Sequence, residues 1–207
     1  MEPIISLCLG YFIGCISPAA WISKMKHVNL KEKGTKNLGA TNTAIVLGRA
    51  AGIFVMVFDI AKSFLSAKIA KMLFPQLAIA GMLACIGAII GHCFPIFLHF
   101  QGGKGLAAFG GMVLAYKPWF FAAIVIPGVI LMMLLDTGVA VPMLASVMFP
   151  VMTYAYSRSI ADTVCAAIAS VIIVIMHWNN LKLARADKDV IKVNAFFDKI
   201  LFKKKKK

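Results

Sequence analysis

Long apolar runs without a charged residue are the feature that most restricts how this chain can fold. The run 119–135 has no charged residue, and 61% of the 207 residues are hydrophobic. A helix needs about 20 mainly apolar residues to cross the hydrocarbon core of a bilayer. Only 14% of the chain is charged, against about 25% in an average soluble domain. Because such runs recur along the chain, we predict an all-α integral membrane protein with a single helical bundle.

Seven of these runs are predicted to be transmembrane helices. Polar residues, proline or glycine separate them, as Asp136-Thr137-Gly138 does before the sixth. We expect residues 1–181 to form the membrane domain and residues 182–207 to form a basic cytoplasmic tail whose last five lysines attract anionic lipid. The predicted spans are 4–23, 51–73, 77–96, 106–116, 119–135, 139–156 and 163–176.

The net charge of +14 is distributed along the chain in a way that indicates membrane topology. Most lysines and arginines fall in the segment 24–49, at Lys104 or in the tail. An odd number of spans places the N-terminus outside if these clusters lie inside, as the positive-inside rule requires. Clustering beside spans favours anionic lipid, and we expect no nucleic-acid partner. The predicted location is the cell membrane, which the chain crosses several times.

Three polar stretches follow predicted spans on the inner side. The first, 34–42, combines three kinds of residue typical of anion sites: glycines that free backbone amides, threonines and asparagines. The second includes Gly102-Gly103-Lys104-Gly105, where a helix start and a lysine favour phosphate. The third, 176–182, contains His177 and Asn180. Each stretch also has a simpler reading, as a loop with a helix cap, a tight turn with a positive-inside lysine, or interfacial anchoring.

Two charged residues fall inside the second predicted span. Asp59 and Lys62 are three residues apart, and intramembrane charges are costly unless they meet a partner or a cavity. Pairing of the two side chains on one helix face explains them without catalysis. The five cysteines have no metal-ligand spacing, and we expect no metal site.

Taken together, these stretches resemble the bacterial membrane acyltransferases that transfer an acyl group from acyl-phosphate to glycerol 3-phosphate. The resemblance covers most of the chain. It implies seven spans, a cytoplasmic active site, no metal or other cofactor, and no covalent acyl-enzyme. It is carried by Gly14-Cys15-Ile16-Ser17-Pro18, by the stretch 34–42, by Asp59 with Lys62, by Gly91-His92-Cys93-Phe94-Pro95, by Gly102-Gly103-Lys104-Gly105, and by His177 with Asn180.

This resemblance gives the polar residues expected roles in making lysophosphatidic acid for phospholipid synthesis. Catalysis is assigned to His177, Lys104 and Asn180. Substrate binding is assigned to Thr35, Lys36, Asn37, Thr41, Asn42, Gly102 and Gly103. The expected partners are acyl-phosphate, glycerol 3-phosphate and membrane lipids, and the expected state is a monomer.

The chain departs from the family pattern at several positions. Thr35-Lys36 replaces the usual Ser-Gly, and 43–46 lack an expected arginine. Ala140-Val141-Pro142 stand where serines are expected. A divergent or inactive member that binds a lipid phosphate or acylates another acceptor is therefore the alternative, and a small transporter is a third possibility.

Overall fold

A computed structural model describes residues 1–185, and all of the regular elements within them are helices. A short 3₁₀ helix, Ile96–Leu98, precedes α6. Residues 186–207, most of the predicted tail, lie outside the described part. The α-helices are α1 Glu2–Gly14, α2 Pro18–Met25, α3 Ala40–Leu47, α4 Arg49–Leu73, α5 Ala80–Cys93, α6 Leu106–Tyr116, α7 Pro118–Leu134, α8 Ala140–Ser157 and α9 Ile160–Arg185.

Five helical segments of the described chain are long and apolar enough to cross a membrane. Two shorter apolar helices, α6 and α7, lie between the third and the fourth of these. The prediction of an all-α membrane protein is therefore confirmed at this level. The five are Glu2–Met25, Arg49–Leu73, Ala80–Leu98, Ala140–Ser157 and Ile160–Ala184.

The first predicted span is divided into two helices, α1 and α2. The helix breaks before Pro18 because proline has no N–H to donate to the backbone hydrogen bonds of a helix. Ser17 caps α2 by accepting a hydrogen bond from Ala20 N at 3.3 Å. The predicted loop 24–42 also ends in a helix that the sequence analysis missed. This helix, α3, lies between Gly39 and Gly48, and the φ of +98° at Gly48 ends it.

The helix α5 is central to the bundle, with most of its residues buried. It packs backbone to backbone against α1, because glycines leave no side chain between the two helices. A Cβ atom at Gly87 would come within 2.0 Å of Leu7 O, and one at Gly91 within 2.1 Å of Tyr11 O. Small residues at helix contacts are typical of membrane bundles, where close packing replaces the hydrophobic effect.

Successive long helices run in opposite directions, so the connections gather at two ends of the bundle. At one end, Leu38 N donates to Gly102 O at 3.3 Å, which joins the loop before α3 to the loop before α6. We call this end, which also holds the connection between α7 and α8, the site end. At the opposite end, Tyr116 OH donates to Asp162 Oδ2 at 3.2 Å.

Candidate active site

A cavity of about 310 Å³ opens at the site end and extends into the bundle. Its polar lining comes from the loop before α3 and the first turn of α3, from α4, and from the end of α5, the start of α6 and the end of α9. Its deeper lining is apolar and comes from α6, α7 and α8. The polar residues are Thr35, Asn37, Thr41, Asp59, His92, Lys104, His177 and Asn180, and the deeper residues include Phe109, Val113, Phe121, Ile124 and Ala145.

Lys104 and Asn180 meet directly across the cavity. Lys104 Nζ donates to Asn180 Oδ1 at 2.6 Å, although the two residues are 76 positions apart. The contact holds the ammonium group over the polar part of the cavity, where the start of α6 adds a partial positive charge. The structure thus brings together two of the three residues predicted to be catalytic.

His177, the third of them, is buried and lines the same cavity. Its Nδ1 lies 2.9 Å from the carbonyl oxygen of Ile173, one turn earlier in α9. Because a carbonyl oxygen only accepts, Nδ1 carries the ring hydrogen. In the neutral ring Nε2 then has a lone pair, so this nitrogen can accept a proton from a ligand.

Asn42 holds the first polar stretch in its folded shape. The side chain is fully buried, its Oδ1 accepts from Thr35 N at 2.7 Å, and its Nδ2 donates to Leu30 O and Asn37 O at 2.8 Å each. Gly34 has a φ of +60°, and a Cβ atom there would be 2.3 Å from Asn42 Oδ1. Both the backbone angle and the close approach require glycine at this position.

This arrangement separates the predicted substrate-binding residues into two groups. Thr35, Asn37 and Thr41 line the cavity, and Asn37 Nδ2 donates to Thr35 Oγ1 at 3.1 Å. Asn42 does not line it, because its amide is used within the loop, and Lys36 is exposed outside it. The assignment of Asn42 and Lys36 to substrate is therefore not supported by their positions.

The prediction that the amides of Gly102 and Gly103 bind phosphate needs correction. Gly102 N donates to Cys93 O and Gly103 N donates to His92 O, both at 3.1 Å. Each amide has a single hydrogen, so neither is available to a ligand in this structure. The glycines instead allow close approach, since a Cβ atom at Gly103 would lie 2.2 Å from His92 Nε2.

The sequence analysis assigned no role in the site to Asp59 or His92, which both line the cavity. The predicted pairing of Asp59 with Lys62 is present, with Lys62 Nζ 2.8 Å from Asp59 Oδ1. His92 joins this pair from α5, 33 positions from Asp59. The signal in the sequence was the pair of intramembrane charges itself, which indicated a partner or a cavity nearby.

Comparisons with known proteins find relatives of one family. A family model described as glycerol-3-phosphate acyltransferase matches residues 4–186. A glycerol-3-phosphate acyltransferase of Macrococcus caseolyticus is 35% identical over 189 residues, which cover 88% of this chain and 93% of the relative. One of Enterococcus faecalis is 39% identical over 122 residues, which cover 58% of this chain and 56% of the relative.

A solved structure is also similar in fold. It is a crystal structure of PlsY, an integral membrane glycerol 3-phosphate acyltransferase, in its glycerol 3-phosphate form. The two folds superpose with a TM-score of 0.84 at 23% sequence identity. The match covers 91% of this chain and 94% of the PlsY chain.

Proposed function

The chain belongs to the glycerol-3-phosphate acyltransferase family, and on that basis we propose that it transfers a fatty acyl group from acyl-phosphate to glycerol 3-phosphate. The product is lysophosphatidic acid, and the reaction belongs to phospholipid synthesis in the bacterial plasma membrane. The observation that carries the proposal is one cavity in which Lys104, Asn180 and His177 surround the polar end and apolar side chains line the depth.

The two parts of the cavity suit the two parts of the donor. An acyl-phosphate has an anionic head and an apolar chain, and the cavity offers an ammonium group at one end and side chains such as Phe109 and Ile124 at the other. Cavities of roughly 300–1,000 Å³ are the usual size for small-molecule sites. The reaction is acyl transfer between two molecules, so holding them in one orientation contributes much of the rate.

In the proposed reaction, the substrate hydroxyl oxygen attacks the acyl carbonyl carbon, and the bond from that carbon to the phosphate oxygen breaks. His177 Nε2 accepts the hydroxyl proton and passes it to the departing phosphate. Lys104 neutralises negative charge that builds on the phosphate, and Asn180 orients Lys104. Thr35, Asn37 and Thr41 contact the acceptor. No covalent bond to the protein is needed, because the acyl group arrives already activated.

We further propose that all seven apolar helical segments cross the membrane and that the N-terminus lies outside. Alternating helix directions support this, because they place the loops before α3 and α6 and the end of α9 at the site end. Most of the described basic residues also lie there, namely those from Lys24 to Arg49 together with Lys104 and Lys182. This distribution fits a cytoplasmic site end. We also propose that the enzyme is a monomer, because the residues of the proposed site all come from one chain.

A second candidate is a family member that acylates a different phosphorylated acceptor. The observation that favours it is Val141, an apolar side chain in the cavity lining at a position where the resemblance implies a serine nearby. A less polar wall at the start of α8 would suit an acceptor with fewer hydroxyl groups than glycerol 3-phosphate. The reaction type and the roles of Lys104 and His177 are the same in both candidates.

The test is an assay of the purified full chain in detergent with acyl-phosphate and glycerol 3-phosphate. We expect inorganic phosphate and lysophosphatidic acid to form in equal amounts. Phosphate release without lysophosphatidic acid, together with acylation of another phosphorylated alcohol, would favour the second candidate. No acyl transfer to any phosphorylated acceptor would contradict both.

Two lysines at opposite ends of α6 provide a matched pair of variants. Lys104→Ala is expected to lower kcat/KM about 100-fold or more, as removal of a group that stabilises developing charge does in other enzymes. Lys117→Ala is expected to retain activity, because Lys117 lies over the Tyr156 ring at the opposite end of the bundle, with Nζ 4.6 Å from the ring centroid. Equal losses in the two variants would contradict the assignment of Lys104.

A further inference from the structure

A cluster of three polar side chains is buried between α4 and α5, where two of its members line the cavity. Asp59, Lys62 and His92 are 1%, 3% and 7% exposed. Burial of charge inside a membrane protein is costly and is tolerated when the groups satisfy one another. The cluster also has contacts beyond its own helices, and these contacts give it a role that simple pairing does not require.

Lys62 is the centre of the cluster. Its Nζ lies 2.8 Å from Asp59 Oδ1, 2.8 Å from Ile16 O and 3.0 Å from His92 Nδ1. An ammonium group has three hydrogens to donate. Asp59 Oδ1 and Ile16 O can accept two of them, and His92 Nδ1 can accept the third in the tautomer that carries its hydrogen on Nε2. The carbonyl of Ile16 is available because Ala20 N, its partner in a continuous helix, donates to Ser17 instead.

His92 links this cluster to the loop that carries Lys104. Its carbonyl accepts from Gly103 N at 3.1 Å. Its ring is so close to the same glycine that a Cβ atom at Gly103 would come within 2.2 Å of Nε2. Backbone and ring together therefore fix the residue immediately before Lys104, which reaches Asn180 at 2.6 Å.

The same loop supports the first polar stretch. Gly102 N donates to Cys93 O, and Gly102 O accepts from Leu38 N, one residue after Asn37. A shift of His92 would thus move the loop carrying Lys104 and disturb the loop carrying Thr35 and Asn37. The cluster itself reaches the cavity, since Asp59 and His92 are part of its lining.

We propose that Asp59, Lys62 and His92 act as one positioning unit, which sets the place of Lys104 in the cavity through His92 and Gly103. The proposal rests on the proposed function, in which Lys104 neutralises negative charge on the phosphate of the donor. The three residues are positioning residues, acting on the reaction through Lys104. An ordinary structural ion pair would instead stabilise the bundle and leave the effect of Lys104 unchanged.

A double-mutant cycle separates these two roles, because residues that act through one another give non-additive effects. We expect His92→Asn, which loses the ring beneath Gly103, to lower kcat/KM at least 10-fold, with the same division between kcat and KM as Lys104→Ala shows. In a Lys104→Ala background the same change should cost less than about 3-fold. Tyr116→Phe, which removes the hydrogen bond to Asp162 at the opposite end, should have the same small effect in both backgrounds.

Gly103→Ala is the second variant, and it leaves all three polar side chains in place. Its methyl group would press on His92 Nε2, so we expect the same loss and the same coupling to Lys104→Ala. This variant keeps the test decisive if His92→Asn does not fold, which thermal unfolding in detergent reports. Multiplicative losses in both cycles, or full activity of Gly103→Ala and His92→Asn, would overturn the proposal.

Failure of the proposed function would look different. In that case the wild-type protein would not acylate glycerol 3-phosphate at all, and the cycle would be run on binding of inorganic phosphate, read as a shift in unfolding temperature. Coupling of Gly103→Ala to Lys104→Ala in phosphate binding would support the positioning unit even then. Additive effects on phosphate binding would reject it.

Discussion

Two asparagines of the first polar stretch have different tasks, although the sequence presents them alike. Asn37 lines the cavity, whereas Asn42 is fully buried and joins Thr35, Leu30 and Asn37 through its amide. A buried amide with its hydrogen bonds satisfied fixes a loop, and loss of the amide leaves the partners unpaired. Asn42 therefore holds the shape of the first polar stretch through its buried amide.

Asn42→Ala is expected to destabilise the protein as well as to reduce activity. An unsatisfied buried polar group costs about 1–3 kcal/mol, and the change leaves the buried carbonyl of Leu30 without this donor. Thermal unfolding in detergent should show a clear decrease in the unfolding temperature. Asn179→Ala, at an exposed asparagine on α9, is the control and should unfold like the wild type. An unchanged unfolding temperature for Asn42→Ala would contradict this role.

His177 is expected to affect the chemical step. Removal of a general base typically costs about 10²–10⁴-fold in rate, so His177→Ala should lower kcat by an amount in that range with a smaller change in KM. Steady-state kinetics with acyl-phosphate measures both. The matched control is His99→Asn, at an exposed histidine whose φ of +56° an asparagine tolerates. A large rise in KM with unchanged kcat would assign His177 to binding instead.

The site could be predicted only as far as local pattern allows. Lys104, His177 and Asn180 stand next to glycines or at a span end, where polar residues are conspicuous, and the structure brings them together. The occupied amides of Gly102 and Gly103 were not predictable, because their acceptors on Cys93 and His92 come from the end of another helix. The spacing of residue types along the sequence does not indicate long-range hydrogen bonds of this kind.

At the scale of elements, the contact between α1 and α5 depends on glycines, which have no side chain to hold the two helices apart. We expect Gly87→Ala to destabilise the protein, because its Cβ atom would lie 2.0 Å from Leu7 O, a backbone atom that cannot move alone. Gly128→Ala in α7 is the matched change, and its Cβ atom would meet Val141 at 3.6 Å, an ordinary contact. Alanine is preferred to glycine in a helix by roughly 0.5–1 kcal/mol.

Thermal unfolding of the two variants in detergent tests this contrast. Gly87→Ala should unfold at a lower temperature than the wild type, and Gly128→Ala at the same or a higher temperature. The reverse order would show that the two helices can separate without cost. Both are single methyl additions in helices, so a general effect of the substitution would appear in both.

Elements were predictable where length and hydropathy suffice. The helices α4 and α8 coincide closely with predicted spans, because an apolar run in a membrane has to satisfy its own backbone. The helix α9 contains the predicted span 163–176 but extends beyond both of its ends. The short helix α3 was missed, since eight residues next to a glycine-rich loop give no distinct periodic pattern. The break before Pro18 needed the position of Ser17 as a cap as well as the proline.

At the scale of the whole molecule, the proposed orientation can be tested with single cysteines at the two ends. Lys33 is exposed at the site end and Arg158 at the opposite end. In a variant whose exposed Cys8 is replaced by serine, Arg158→Cys should react with a membrane-impermeant thiol reagent added to intact spheroplasts. Lys33→Cys should react only after the membrane is opened. Labelling in the reverse order would contradict the orientation.

A cavity with a polar mouth and an apolar interior affects how the reactants reach the enzyme from water and from the bilayer. On the proposed reaction, the water-soluble acceptor arrives from the cytosol while the tail of the donor stays among hydrocarbon, so neither reactant has to enter the other's solvent. The finished lysolipid already has its head at the surface and its tail in the bilayer. The enzyme can therefore release the lysolipid into the inner leaflet without passing it through water.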